Sequence, residues 1–111
     1  MKIQNAALVD VDGTPIRDQV SPGVPAKDTD PILTVAKVLE RAALQPPQQG
    51  QPFTDKQNAD RYAAAVYLHK IEEYVPFELE LDLVTQLKAG VMRSYAPLVA
   101  GQMVSILEGI K

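Results

Sequence analysis

The run Ala6-Ala7-Leu8-Val9-Asp10-Val11-Asp12-Gly13-Thr14 decides the architecture, because it reads as strand, tight bend and return. Leu8, Val9 and Val11 favour a pleated backbone, Asp12-Gly13 is a favoured pair for a two-residue hairpin turn, and Thr14-Pro15-Ile16 comes back as a second short strand. Pro15 has no N–H to give a ladder, so its strand belongs at an edge. Over about 6–18 the chain is therefore expected to form a β-hairpin, with the carboxylates of Asp10 and Asp12 in water beside the turn. A strand edge is also a surface that another chain can extend, which makes Val11, Thr14 and Ile16 candidate contact residues.

The same run, an apolar strand leading into Asp10-Val11-Asp12-Gly13-Thr14, resembles the first motif of the haloacid dehalogenase phosphatases. That resemblance implies Asp10 as the nucleophile toward phosphorus and Asp12 as the general acid and base. It also implies a Mg²⁺ to bridge the charges and a Lys to offset the charge that develops. The family sets its later Lys and acidic metal ligands on a parallel sheet with helical crossovers, each unit needing about 30 residues. No second buried parallel strand is legible after Thr14, and Pro15 stands where the family carries an apolar residue. The hairpin reading takes precedence, and a phosphatase fragment is the remote alternative.

Working outward, 111 residues suit one domain with a modest core, and 46% apolar residues are ordinary for a folded protein. Aromatics are few, Phe53, Phe77 and tyrosines 62, 67, 74 and 95, so Ala, Val and Leu must fill the interior and helices must pack closely. A net charge of −3 without a Lys/Arg cluster lacks the footprint of a nucleic-acid binder. Cysteine is absent, which removes disulfides, thiolate metal sites and cysteine nucleophiles. His69 is the only histidine and has no second ligand at i+4 or i−4, so neither a metal site nor a cofactor is expected. With no apolar run of bilayer-spanning length and no basic-then-apolar leader, the expectation is a cytosolic protein without a membrane partner.

After the hairpin, Ser21-Pro22-Gly23-Val24-Pro25 reads as a loop. Asp30 and Pro31 form a helix start, and Ile32, Val35, Ala36, Leu39, Ala42 and Ala43 recur at helical spacing, predicting a helix over 31–44. Prolines 46, 47 and 52 among glutamines and Gly50 predict a flexible linker over 45–53. Thr54 and Gln57 have the form of a capping box opening a helix over 55–73. Ala59, Tyr62, Ala63, Val66, Ile71 and the stem of Lys70 are its expected inner face, with Tyr67 and Tyr74 at the margins. Those two tyrosines join the candidate contact residues, since exposed aromatics serve interfaces well.

Pro76 stops that helix, and Phe77-Glu78-Leu79-Glu80-Leu81 has the period of a strand or the start of a helix. Extended backbone through Leu79 is favoured, then a helix over 80–94 on the stripe Leu83, Val84, Leu87 and Val91. A last helix over 97–108 starts at Pro97 and carries Val99, Met103, Ile106 and Ile110, widened by Leu98 and Leu107. Gly101 inside it calls for close approach by another backbone, and Gly109 suits a C-cap.

From Thr54 onward the order of features is itself a pattern. Arg61-Tyr62 with Ala65 leads to His69-Lys70-Ile71, then to Val91-Met92-Arg93, to Tyr95-Ala96-Pro97-Leu98-Val99-Ala100-Gly101-Gln102-Met103 and to Leu107-Glu108. Most of the chain thereby resembles a group of small, mostly uncharacterised proteins of tailed bacteriophages and prophages. The resemblance implies a phage origin, location in the host cytoplasm or the virion, and a part in virion assembly or in handling host factors. It supplies no catalytic residues.

The expectation is one mainly α (α+β) domain over 1–111, with an N-terminal β-hairpin packed on a three- to four-helix bundle. With no paired catalytic constellation the chain reads as a non-enzymatic interaction or assembly protein acting through a protein–protein surface, possible as a homo-oligomer. The alternative is a small inhibitor of a host protein, for which the acidic balance suits a basic target.

Overall fold

A computed structural model describes residues 1–17, 31–47, 50 and 52–108. The architecture is mainly α, with an N-terminal hairpin laid against a four-helix bundle. In chain order the elements are β1 (Lys2–Ile3), α1 (Val35–Ala43), α2 (Asp55–His69), β2 (Phe77–Glu78), α3 (Leu81–Ser94) and α4 (Pro97–Leu107). β1 and β2 pair antiparallel, Lys2 opposite Glu78 and Ile3 opposite Phe77. Met1 and Leu79 continue the ladder through the bond from Leu79 N–H to Met1 O at 3.0 Å.

The hairpin closes by a different turn from the one expected. Asp10 N–H donates to Thr14 O at 2.8 Å, Gly13 N–H donates to Asp10 O at 2.9 Å, and Gly13 has φ of +87°. The loop is therefore Val11-Asp12-Gly13, a three-residue connection whose last position needs the left-handed conformation that glycine adopts at little cost. Val9 and Pro15 face each other across the hairpin. The flanking ladder bonds fall on Leu8, Asp10, Thr14 and Ile16, so the missing N–H of Pro15 breaks none of them.

Beyond the hairpin, residues 32–34 are extended rather than helical. Leu8 N–H donates to Leu33 O, Leu33 N–H to Ile16 O, and Ile16 N–H to Leu8 O, at 2.8 to 2.9 Å. Three chain segments thus close a ring of backbone bonds, and Ile32 also pairs with Arg17. The helix expected over 31–44 consequently starts at Val35, capped by Thr34, whose Oγ1 accepts from Lys37 N–H. The loop expected over 21–25, Asp30 as a cap, Gly109 as a C-cap and Ile110 in the last stripe lie outside the described residues.

α1 lies at the centre of the bundle, packed on α2 and α3, while α4 packs on α3. It buries Val35, Ala36, Val38, Leu39, Ala42 and Ala43. α2 opens with the expected capping box of Thr54 and Gln57. Its buried face is Arg61, Ala64, Ala65 and Leu68, whereas Ala59, Tyr62, Ala63, Val66 and Lys70 are exposed. The expected inner face is therefore rotated. The physical reason is size, because Ala64 and Ala65 let α2 approach the Ala42–Ala43 side of α1, where Tyr62 would hold the helices apart.

α2 also stops four residues short of the expected 73. Asn5 is fully buried, and its Nδ2 donates to Glu72 O at 2.8 Å. Its backbone O accepts from Tyr74 N–H at 2.9 Å. Tyr74 adopts φ of 64°, a left-handed conformation that costs a non-glycine residue about 1 kcal/mol, and the bond to Asn5 holds it there. The chain is thereby turned from α2 toward β2.

Among the described residues nothing lies within 4 Å of where a Cβ on Gly101 would sit, so none of them makes the expected close approach. The close glycine is Gly90 on α3, whose added Cβ would lie 3.0 Å from Gln45 Oε1 and 3.7 Å from Ala42 Cβ. α4 is fastened differently: Gln102 Nε2 donates to Val9 O at 2.7 Å and Gln102 Oε1 accepts from Val9 N–H at 2.9 Å. The side-chain amide substitutes for a strand at the open edge of the hairpin.

Asn5 Oδ1 further accepts from Ala36 N–H at 2.8 Å in the first turn of α1. Asn5→Ala leaves that N–H without an acceptor, while Glu72 O keeps the bond from Val75 N–H at 3.2 Å, and one buried group left unpaired costs about 2 kcal/mol. Urea unfolding should show that loss as a fall in midpoint with an unchanged slope.

Candidate interaction surfaces

The residues singled out at the hairpin divide by environment. Val11 at the loop is 92% exposed and Thr14 beside it is exposed, while Ile16 is half-buried and packs against the core. With Gln102 on Val9 and the backbone ring using Ile16, the tip of the hairpin rather than its edge is the part left open.

Asp10 and Asp12 serve the loop. Asp10 Oδ1 accepts from Val11 N–H at 2.7 Å, and Asp12 Oδ1 accepts from Thr14 N–H at 2.9 Å. The Thr14 backbone bond, together with the Thr14 side chain, holds the Asp12 carboxyl below its ordinary pKa. Sheets among the described residues are antiparallel, and no group of three or more His, Cys, Asp or Glu side chains there converges as metal ligands. His69 lies on the surface of α2 with Nδ1 3.2 Å from Glu40 Oε2, the carboxylate whose other oxygen accepts from Lys37 Nζ.

Tyr67 and Tyr74 are exposed, but each is tied to the fold. The Tyr67 hydroxyl accepts from Glu78 N–H at 3.2 Å, bracing β2 against α2. Tyr74 is fixed through its backbone to Asn5. Val11 and Thr14 thus belong to the hairpin loop, whereas Tyr67 and Tyr74 belong to α2 and its connection to β2.

The structure assembles another surface that sequence reasoning passed over. Met92 and Tyr95 at the end of α3, with Pro97, Ala100, Gly101 and Val104 of α4, line an open apolar concavity of about 460 Å³. Met92 is 58% exposed, and Leu98 extends the apolar area. Gly101 is the sequence signal for it, a glycine within a helix that calls for close approach by another backbone. No helix among the described residues is long and apolar enough to cross a membrane.

No family model, curated protein or solved structure matches this chain.

The Asp12 shift has a definite sign. A carboxyl with a folded pKa below its unfolded one stabilises the fold above the unfolded pKa, and that contribution disappears as pH falls through the folded value. Asp12→Asn should therefore lose less stability than the parent between about pH 5 and pH 3, as followed by urea midpoints across that range.

Proposed function

We propose that this chain is a non-enzymatic interaction protein that offers the α3–α4 face to a protein partner during virion assembly in a tailed phage. The observation that carries the reading is Gly101. A glycine inside a helix costs about 1 kcal/mol relative to alanine, and nothing among the described residues approaches close enough to require one here. The concavity beside it is walled by exposed apolar side chains, the kind of surface that folded proteins keep for binding. A partner backbone resting on Gly101 would account for both features.

The aspartates support the non-enzymatic side of the reading, since both carboxylates accept hydrogen bonds from neighbouring backbone groups of the loop. A host-protein inhibitor would use the same face but differ in stoichiometry, giving a tight 1:1 complex with a host component. Assembly gives self-association or co-purification with a virion protein.

Gly101→Ala separates folding from binding. It should stabilise the isolated chain by about 1 kcal/mol and weaken association, measured by thermal unfolding and by mass in solution with and without the virion proteins. Met92→Glu should abolish association with the fold intact, while Asp10→Asn should leave it unchanged. Unaltered association in both Gly101→Ala and Met92→Glu would refute the assignment of this face.

A further inference from the structure

Arg61 is the charged side chain that the fold buries without an opposite charge. It is 8% exposed. Its Nη1 donates to Ala42 O at 3.3 Å near the end of α1, and its guanidinium carbon lies 4.0 Å from the centroid of the Phe53 ring. Its Nε has no hydrogen-bond partner among the described residues, and no carboxylate there forms an ion pair with it. Burial, and secondarily the like charge of Arg93, hold its pKa below the ordinary value. A helix-end carbonyl and an aromatic face compensate a buried cation only in part, because neither carries a full negative charge.

The same guanidinium lines a pocket of about 270 Å³ between the end of α1 and the start of α2. Leu44, Pro46, Pro47, Phe53 and Tyr62 wall it, Asn58 adds a polar amide, and Arg61 is the charged residue among those described there. Gln45 also lines it, and its Oε1 accepts from Arg93 Nη2 at 3.4 Å, so a second guanidinium stands behind that wall.

We propose that this pocket binds a carboxylate carried on a short apolar stem, with the carboxylate on Arg61 and the stem against Pro46, Pro47 and Phe53. A planar fork matches a carboxylate in two parallel bonds. Apolar walls desolvate a phosphate dianion at a cost that one guanidinium does not offset. The volume lies below the roughly 300–1,000 Å³ typical of sites for drug-sized ligands, which suits a small free acid or the last residue of a peptide. The pocket shares no residue with the α3–α4 face, so it stands or falls separately from the assembly reading.

The test is titration of the whole chain with hexanoate, hexanamide and inorganic phosphate, and with acetyl-alanyl-leucine in its free-acid and amidated forms. Amide resonances of Leu44, Phe53 and Tyr62 and the thermal midpoint serve as readouts. Hexanoate should shift these resonances and raise the midpoint, while hexanamide does neither. R61Q should weaken hexanoate binding by about tenfold or more, the loss of a charge-assisted contact. Should R61Q fail to fold, R61K, which keeps the charge and loses the fork, and the difference between hexanoate and hexanamide on the parent chain decide the matter. Tighter binding of the free-acid peptide than of hexanoate assigns the site to a chain terminus, and the reverse assigns it to a free acid. Equal effects of hexanoate and hexanamide, hexanoate affinity unchanged in folded R61Q, or phosphate binding as tightly as hexanoate would each overturn the proposal.

Discussion

The buried amide of Asn5 is the constraint on which the arrangement of the helices depends. A helix begins with N–H groups that have no partner inside it, and in α1 those of Val35, Ala36 and Lys37 find theirs nearby before Val38 makes the first bond within the helix. Val35 N–H donates to Ala6 O, Ala36 N–H to Asn5 Oδ1, Lys37 N–H to Thr34 Oγ1 and Val38 N–H to Thr34 O. Two of these four acceptors come from the N-terminal segment. Through its other amide atom and its carbonyl Asn5 also grips the turn after α2. One side chain therefore sets where the central helix starts and where the next one is turned back.

Around that centre the packing relies on small residues. Ala42 and Ala43 on α1 and Ala64 and Ala65 on α2 are all buried, α1 and α2 pack on each other, and Gly90 on α3 approaches Ala42. Close approach brings backbones together and compensates for a core with few aromatic rings. It also explains why Tyr62, Tyr67 and Tyr74 remain outside: a helix pair held at alanine distance has no room for a ring between its axes. The outer surface is correspondingly rich in exposed apolar side chains, and both the α3–α4 concavity and the Arg61 pocket lie on it.

Much of this was legible in sequence where one residue's preference and its environment agree. The stripes of α1 and α3, the capping box of α2 and the start of α4 at Pro97 follow from local spacing and local hydrogen bonding. Extended backbone through Leu79 followed by a helix from Leu81 belongs to the same group. Three features were not legible because their causes lie far along the chain. The extended 32–34 segment is held by Leu8 and Ile16, the short end of α2 by Asn5, and the open edge of the hairpin by Gln102. The face of α2 was misread because Arg61 is buried through a carbonyl and a ring rather than through hydrophobicity, while Tyr62 and Val66 are apolar yet exposed. Of the candidate surface, only Gly101 carried a signal, and a signal for close approach does not say from which side.

The clasp of Gln102 on Val9 ties together residues 93 positions apart. Ile3 likewise pairs with Phe77, and the Asn5 amide reaches Glu72. The hairpin and the 32–36 segment can pair with each other early, through Leu8, Ile16, Leu33 and the start of α1, whereas these other bonds wait for the α2–β2 turn and α4. Contacts between segments so far apart in sequence form slowly, because the entropy of closing a long loop is lost before the contact is made. Until α4 is in place the hairpin edge at Val9 lacks the Gln102 amide, so an incomplete chain offers its own copies an unpaired strand edge.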